Sequence, residues 1–228
     1  MKILGLETSS EVCSVGLIDD EGAEFEASRV EARIHSEKLL TMVRDVLERE
    51  ATVMQDISAV SVSIGPGSFT GLRIGLSTAK GLCYALEKPL LVVSTFDGFA
   101  ATVFETKSAS EIIVAVDAKQ GQFYTQRYGR NGESSSPLDG VRVAELSEIA
   151  ELISENPGAH VVTDSHRIAE HVKGRDRIVN VQSLCSGVMV ARLGLIKFLA
   201  KEFADLASVE PMYLKDFVVR TVPRLSAG

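Results

Sequence analysis

The chain has 228 residues, enough for one large domain or two small lobes, with ordinary apolar content and no Trp. Its formal net charge of −7 and pI near 5.2 speak against a stand-alone nucleic-acid binder, which would carry a basic face. Cys13, Cys83 and Cys185 form no Cys-x-x-Cys, and no apolar run is long enough to span a membrane, so the expectation is a cytoplasmic protein with reduced core cysteines.

In chain order, Lys2 to Leu6 reads as a short strand that ends at Glu7 and a Thr-Ser-Ser turn. Val12 to Ile18 alternates as its hairpin partner, and Ala23 to Val30 reads as a third strand after the Asp-Asp-Glu-Gly turn. Residues 35–50 place Leu39, Leu40, Val43, Val46 and Leu47 at helical spacing. A buried strand, Ala59 to Ile64, then runs into Gly65-Pro66-Gly67-Ser68-Phe69-Thr70-Gly71-Leu72-Arg73-Ile74-Gly75 and a helix that continues to about Leu86. The only charges from Thr70 to Leu86 are Arg73 and Lys80, which share one narrow stripe with Ser77. Gly67, Gly71, Gly75 and Ala79 form a second row, a ridge without side chains. Each glycine inside a helix costs about 1 kcal/mol relative to Ala, so something must approach closely enough to offset that loss. The expectation is a partner helix on this ridge. The alternative is that the ridge packs on the chain's own sheet.

Leu90 to Val93 reads as a buried strand and Thr95 to Phe104 as a helix. The opening then recurs. Ile113-Val114-Ala115-Val116-Asp117-Ala118-Lys119 aligns with Ile3-Leu4-Gly5-Leu6-Glu7-Thr8-Ser9, and each is followed by a turn and a second strand. Two copies of strand, acid and hairpin predict a duplicated α/β fold of two unequal lobes, each built on a βββαβα unit. Helices are expected at 145–154, 166–172 and 184–203, with strands at 161–163 and 178–181. The boundaries fall at 1–108 for the first lobe, 109–207 for a reduced second lobe, and 208–228 for a tail returning to the first lobe.

Several chemistries can be tested on the residues. Gly65 to Gly71 lacks the Gly-Lys-Ser/Thr ending of a phosphate-binding P-loop, so capping by Ser68 or Thr70 competes with phosphate binding there. Glu7, Thr8 and Ser9 with Asp117 are the candidate nucleotide-facing residues. Neither acid is followed by the glycine that lets backbone approach phosphate, so hydrogen bonding to turn amides is the competing reading. The histidines His35, His160, His166 and His171 form no His-x-x-x-His, and no metal site is expected. There is no Gly-x-Ser-x-Gly elbow, and Cys83 sits in an apolar helix rather than beside an activating base.

Taken together, Ile3–Ser9 with Cys13-Ser14-Val15, the Gly65–Gly75 segment, Val116-Asp117-Ala118-Lys119 and Glu210-Pro211-Met212-Tyr213-Leu214 resemble the TsaB (YeaZ) family over nearly the whole chain. The resemblance implies an actin-like (sugar kinase/Hsp70-type) fold. It implies a part in making N6-threonylcarbamoyladenosine beside the tRNA anticodon, as the non-catalytic partner of a larger paralogue, TsaD, with the ATPase TsaE joining the complex. It implies a homodimer when the paralogue is absent, contact with tRNA only through the complex, and no cofactor held by this chain alone, with ATP or ADP entering in the complex. The metal pair of TsaD-type sequences falls on Thr95 and Phe99 here. Glu7 stands where many relatives have Asp.

Two function classes follow. In the first, an interaction protein docks through Gly67, Phe69, Gly71, Leu72, Arg73, Gly75, Leu76, Ala79 and Lys80 and activates its paralogue. In the second, the chain is a stand-alone ATP-dependent kinase or peptidase. A direct tRNA chaperone is a third option, opposed by the acidic balance.

Overall fold

In the computed structural model, which describes residues 1–31, 34–132 and 134–214, the chain begins with an antiparallel meander. Its strands are β1 (Lys2–Glu7), β2 (Val12–Asp19) and β3 (Glu24–Val30). Helix α1 (Ile34–Arg49) leads to β4 (Ala59–Ser63), and α2 (Phe69–Leu86) leads to β5 (Leu90–Val93). Both of these strands lie parallel to β1, giving the sheet order β3-β2-β1-β4-β5. Helix α3 (Thr95–Thr106) leaves this sheet.

The second half repeats the plan. β6 (Glu111–Asp117), β7 (Gln122–Asn131) and β8 (Ser134–Pro137) form the meander, and β9 (Arg142–Glu145) adds to β7. Helix α4 (Leu146–Glu155), β10 (His160–Thr163), the single turn α5 (His166–Ala169), β11 (Ile178–Asn180) and α6 (Gly187–Leu199) follow. Written from its meander edge, this sheet runs β8-β7-β6-β10-β11, the same spatial order as the first, again with the later two strands parallel to the founding one. The repeated strand–acid–hairpin is therefore a repeated topology, and the doubled arrangement is the actin-like fold. The sequence reading lacks β8 and β9, because the serine-rich segment leading to Pro137 offers no alternation to read.

The lobe boundaries need correction. On one face of the first sheet, α1 and α2 bury Leu39, Val43, Leu76, Ala79 and Cys83 against Leu4, Leu6, Val60 and Val62. On the other face lies α6, with Ala191 against Ile3, Ile18, Ala59 and Leu91. Reciprocally, α4 and α5 cover one face of the second sheet through Ile149, Ile153 and Ile168, while α3 covers the other through Phe96, Phe99, Ala100, Val103 and Phe104. The last helix of each half thus covers the sheet of the other half. The predicted helix 184–203 is shorter, beginning after a 3-10 turn at Val181–Ser183 with Ser186 as N-cap, its Oγ accepting from the Met189 amide at 3.1 Å.

Glycines allow α6 to sit directly on the strands. A Cβ at Gly5 would lie 2.0 Å from the Gly187 oxygen, and one at Gly16 2.1 Å from the Val188 nitrogen. Polar contacts fix the placement. Glu26 Oε1 accepts from the hydroxyls of Ser14 at 2.7 Å and Ser186 at 2.8 Å. Arg192 donates to both Glu24 oxygens at 2.5 and 2.6 Å and to Glu105 of α3 at 3.0 Å. After α6 the chain returns along the first lobe. The Ala204 amide donates to the Leu90 oxygen at 2.9 Å and the Met212 amide to the Ile64 oxygen at 2.7 Å. The locally basic residues Lys215, Arg220 and Arg224 lie outside the described residues.

Candidate functional site

Helix α2 begins where β4 delivers the chain to the Gly-Pro-Gly turn. Ser68 is its N-cap, accepting from the Gly71 amide at 3.3 Å, and the Ser68 amide donates to the Ser9 carbonyl at 2.7 Å. The chain's own β1–β2 connection therefore packs on this turn and takes its Ser68 amide.

The glycine ridge is filled in the same way. A Cβ at Gly67 would lie 2.3 Å from the Ser9 oxygen, at Gly71 2.0 Å from the Thr8 oxygen, and at Gly75 2.1 Å from Thr8 Oγ1. This corrects the expectation that the ridge meets a partner: it meets residues 8 and 9 of its own chain. Leu72, Leu76 and Ala79, also assigned to the partner interface, are buried in the chain's own core.

The opposite side of α2 is open. Phe69, Thr70, Arg73, Ser77, Gly81 and Tyr84 are exposed, and Lys80 is half-buried beside them. Tyr84 is 83% exposed, and a Cβ at Gly81 would touch nothing within 4 Å. At the N-terminal end of this stripe the Arg73 guanidinium lies 3.8 Å from the Phe69 ring centroid and 5.5 Å from that of Tyr213. Its Nε donates to the Tyr213 hydroxyl at 2.8 Å. Of the predicted interface residues, Phe69, Arg73 and Lys80 thus share one surface. Tyr84, Gly81 and Tyr213 were missed. The first continues the 73, 77, 80 spacing and was legible, whereas Tyr213 arrives from 140 residues away along the chain.

The nucleotide-facing set is divided. Glu7 is 2% exposed, and Thr8 and Ser9 are buried with it, so these three do not open onto a cleft. The Glu7 carboxylate accepts from the Ser9 amide at 2.6 Å. Burial raises its pKa, against the hydrogen bond from the Ser9 amide, which lowers it. Asp117 is exposed in the second lobe. Its carboxylate accepts from the Lys119 amide at 2.8 Å and pairs with Lys119 Nζ at 2.9 Å, and its amide donates to Asp164 at 3.2 Å. These residues line an open depression of about 350 Å³ with Gln120 and Arg167. The two acids that open the repeats therefore have different surroundings, one sealed and one solvated.

The positions that align with a metal pair are core. Thr95 and Phe99 are buried, and the Phe99 ring packs 6.2 Å from that of Phe96, an apolar setting that does not fit a metal. Among the described residues no group of three or more His, Cys, Asp or Glu side chains gathers to hold one. All three cysteines are buried, and desolvation raises their thiols, to about 12 for Cys13 and about 11 for Cys83. Such thiols are not nucleophiles near neutral pH. No helix among the described residues is long and apolar enough to cross a membrane.

Comparison with known proteins follows the same lines. The family described as "TsaD: tRNA N6-adenosine threonylcarbamoyltransferase" matches residues 28–225. The "tRNA threonylcarbamoyladenosine biosynthesis protein TsaB" of Escherichia coli (strain K12) is 38% identical over 133 residues, 58% of this chain and 56% of that protein. The protein of the same name from Haemophilus influenzae is 25% identical over 231 residues, 96% of this chain and 95% of that protein. This chain therefore matches little more than half the length of the first relative and nearly all of the second. The solved structure "YeaZ from Pseudomonas aeruginosa" superimposes with a TM-score of 0.82 at 25% identity, covering 93% of this chain and 99% of that one. A second, described as an uncharacterized protein with similarity to peptidase YEAZ from the same organism, gives 0.81.

Proposed function

Because the chain belongs to the TsaD family, on its TsaB branch, we propose that it is the non-catalytic subunit for threonylcarbamoylation of the adenosine beside the tRNA anticodon. It acts in the cytoplasm by docking to a TsaD-type paralogue through the outer face of α2. An ATPase of the TsaE type and the tRNA are reached through the complex, and ATP or ADP enters there rather than in this chain. In the absence of the paralogue the same face pairs two copies of the chain.

The observation that carries this reading is the outer stripe of α2. A helix with one row sealed against its own turn still presents Phe69, Arg73, Gly81 and Tyr84 to solvent. Exposed aromatics with an arginine are the residue types that dominate protein interfaces. The non-catalytic part of the reading is supported by what fills the expected reaction positions: Glu7 is buried at the end of β1, and Phe99 packs in the core. A stand-alone kinase would need the turn after the first acid open to nucleotide, and there Glu7, Thr8 and Ser9 are buried.

The test is co-purification of this chain with the host's TsaD-type paralogue, followed by an in vitro modification assay. Gly81→Arg places a long side chain in open space on the stripe, so the monomer is expected to fold normally while pairing and tRNA modification are lost. If the variant pairs and supports modification as the wild type does, α2 is not the docking face.

A further inference from the structure

We propose that the depression between the end of α3 and the β7–β8 turn binds a phosphoryl group, held by Arg130 and Lys107 with the hydroxyls of Ser108 and Ser110. The site is built on elements other than α2 and does not depend on α2 being the docking face.

Arg130, near the end of β7, is exposed yet fixed. Its Nε donates to the Ala109 oxygen at 2.8 Å, and its Nη2 to the oxygens of Phe104 at 2.6 Å and Lys107 at 2.8 Å. Its guanidinium lies 5.0 Å from the Phe104 ring centroid. Capping the end of α3 explains these bonds, and it uses Nε and Nη2 only. Among the described residues Nη1 has no acceptor, and no carboxylate stands within ion-pair distance of Arg130 or Lys107. By contrast, Arg127, Arg142 and Arg192 are each paired with a carboxylate. A guanidinium already ordered by stacking and three carbonyls loses little freedom when an oxyanion docks on its remaining edge.

The charge balance favours an anion. The end of α3 contributes about half a negative charge, which two full cations exceed. Glu105 also lines the depression, but Arg192 takes it at 3.0 Å. Glu111, the first residue of β6, is taken by Arg127 at 2.9 Å. The surplus reaches the neighbouring His160: burial lowers its imidazole below the ordinary value, Lys107 and Arg177 lower it further, and Asp176 opposes them. Glu133 follows Gly132 in sequence and lies outside the described residues, so its charge is removed in one arm of the test.

The donor set selects the ligand. Nη1, the Lys107 ammonium and two exposed hydroxyls offer more donors than the two oxygens of a carboxylate can take, whereas a phosphoryl group presents three oxygens. The depression is open, about 740 Å³, and its apolar residues Phe104 and Ala109 are themselves buried. It therefore gives no apolar wall to the rest of a small molecule. It suits inorganic phosphate, or one phosphate of a nucleic-acid backbone met as a local contact, since a protein of net charge −7 exerts no general attraction on RNA.

The test is a titration of the full chain with inorganic phosphate at constant ionic strength, followed by ¹H–¹⁵N NMR. The amides of Lys107, Ser108 and Ser110 are expected to shift, and Lys107→Glu is expected to weaken the phosphate affinity by roughly tenfold or more. Glu133→Gln is expected to leave that affinity unchanged or tighter. Arg130→Gln is expected to abolish binding. It also removes the cap of α3, so its fold is checked by circular dichroism, and Lys107→Glu decides the matter if it does not fold. Transcribed tRNA at low and high salt separates the two sources. If the site takes an RNA backbone, Lys107→Glu lowers the slope of log affinity against log salt by about one. If it takes free phosphate alone, tRNA affinity is the same in wild type and variant. The site is overturned if the three amides do not shift, or if wild type and Lys107→Glu bind phosphate equally. Binding that appears only in Glu133→Gln overturns it too, because the chain's own acid then fills the depression.

Discussion

Glu7 carries its carboxylate to the end of β1, where it is 2% exposed. Among the described residues no cation pairs with it. Burial raises its folded pKa above the unfolded value near 4.5. The folded state then holds the proton more tightly, so Glu7 favours folding below that unfolded value and this contribution is lost as pH rises through the folded pKa. Glu7→Gln keeps an oxygen for the Ser9 amide and removes the charge. It is expected to unfold at higher urea than the wild type at pH 8, with the difference shrinking toward pH 4. A variant that is less stable than the wild type at pH 8 would mean that the ionised form is the one the site is built for. A second contrast separates the glycines of one helix. Gly71→Ala drives a methyl into the Thr8 carbonyl and is expected to cost about 2 kcal/mol or more. Gly81→Ala meets nothing and is expected to gain about 0.5–1 kcal/mol from the stiffer unfolded chain. Chemical denaturation of the two variants measures both.

On α2 the residues alone held enough to correct the interface, had both rows been weighed together. Gly71 and Gly75 each stand two positions from Arg73, which is about 200° of helix rotation. A ridge facing a partner would have turned Arg73 into the core with no acid on its own helix to meet it, a costly placement for a charge. The glycine row did state that a close approach occurs. It could not name the approaching group, because Thr8 and Ser9 are some sixty residues away in sequence and come near only through the β1–β4 pairing. The cap, by contrast, is local and was legible. Ser68→Ala is expected to destabilise by about 1 kcal/mol in thermal melts, with pairing to the paralogue unchanged once the chain is folded. The duplicated hairpins were legible for the same reason, since strand, acid and turn lie within a few neighbours. Tyr213 was not legible as a support of Arg73, because nothing local to either residue records the contact.

The exchange of α3 and α6 was beyond the sequence reading, because both helices are apolar on more than one side and either could cover either sheet. Its mark is in the glycines at 5, 16, 187 and 194, each with space for no Cβ. Because neither sheet is covered without a helix from the other half, the halves are expected to melt as one unit. Tyr124 and Tyr128 lie in the second sheet and Tyr84 on α2. Tyrosine fluorescence of a Tyr84→Phe, Tyr213→Phe double variant should then report the same urea midpoint as far-UV circular dichroism. Two separated midpoints would show that the lobes are independent.

The position of α6 also bears on how the protein is made. The strands of the first sheet are complete at Val93, but the helix that shields one of their faces ends only at Leu199. At about 5–20 residues per second, a ribosome takes roughly 5–20 s to cover that interval. Throughout it Ile3, Ile18, Ala59 and Leu91 lack the helix that will cover them, so the emerging chain carries this apolar face bare until α6 has been made.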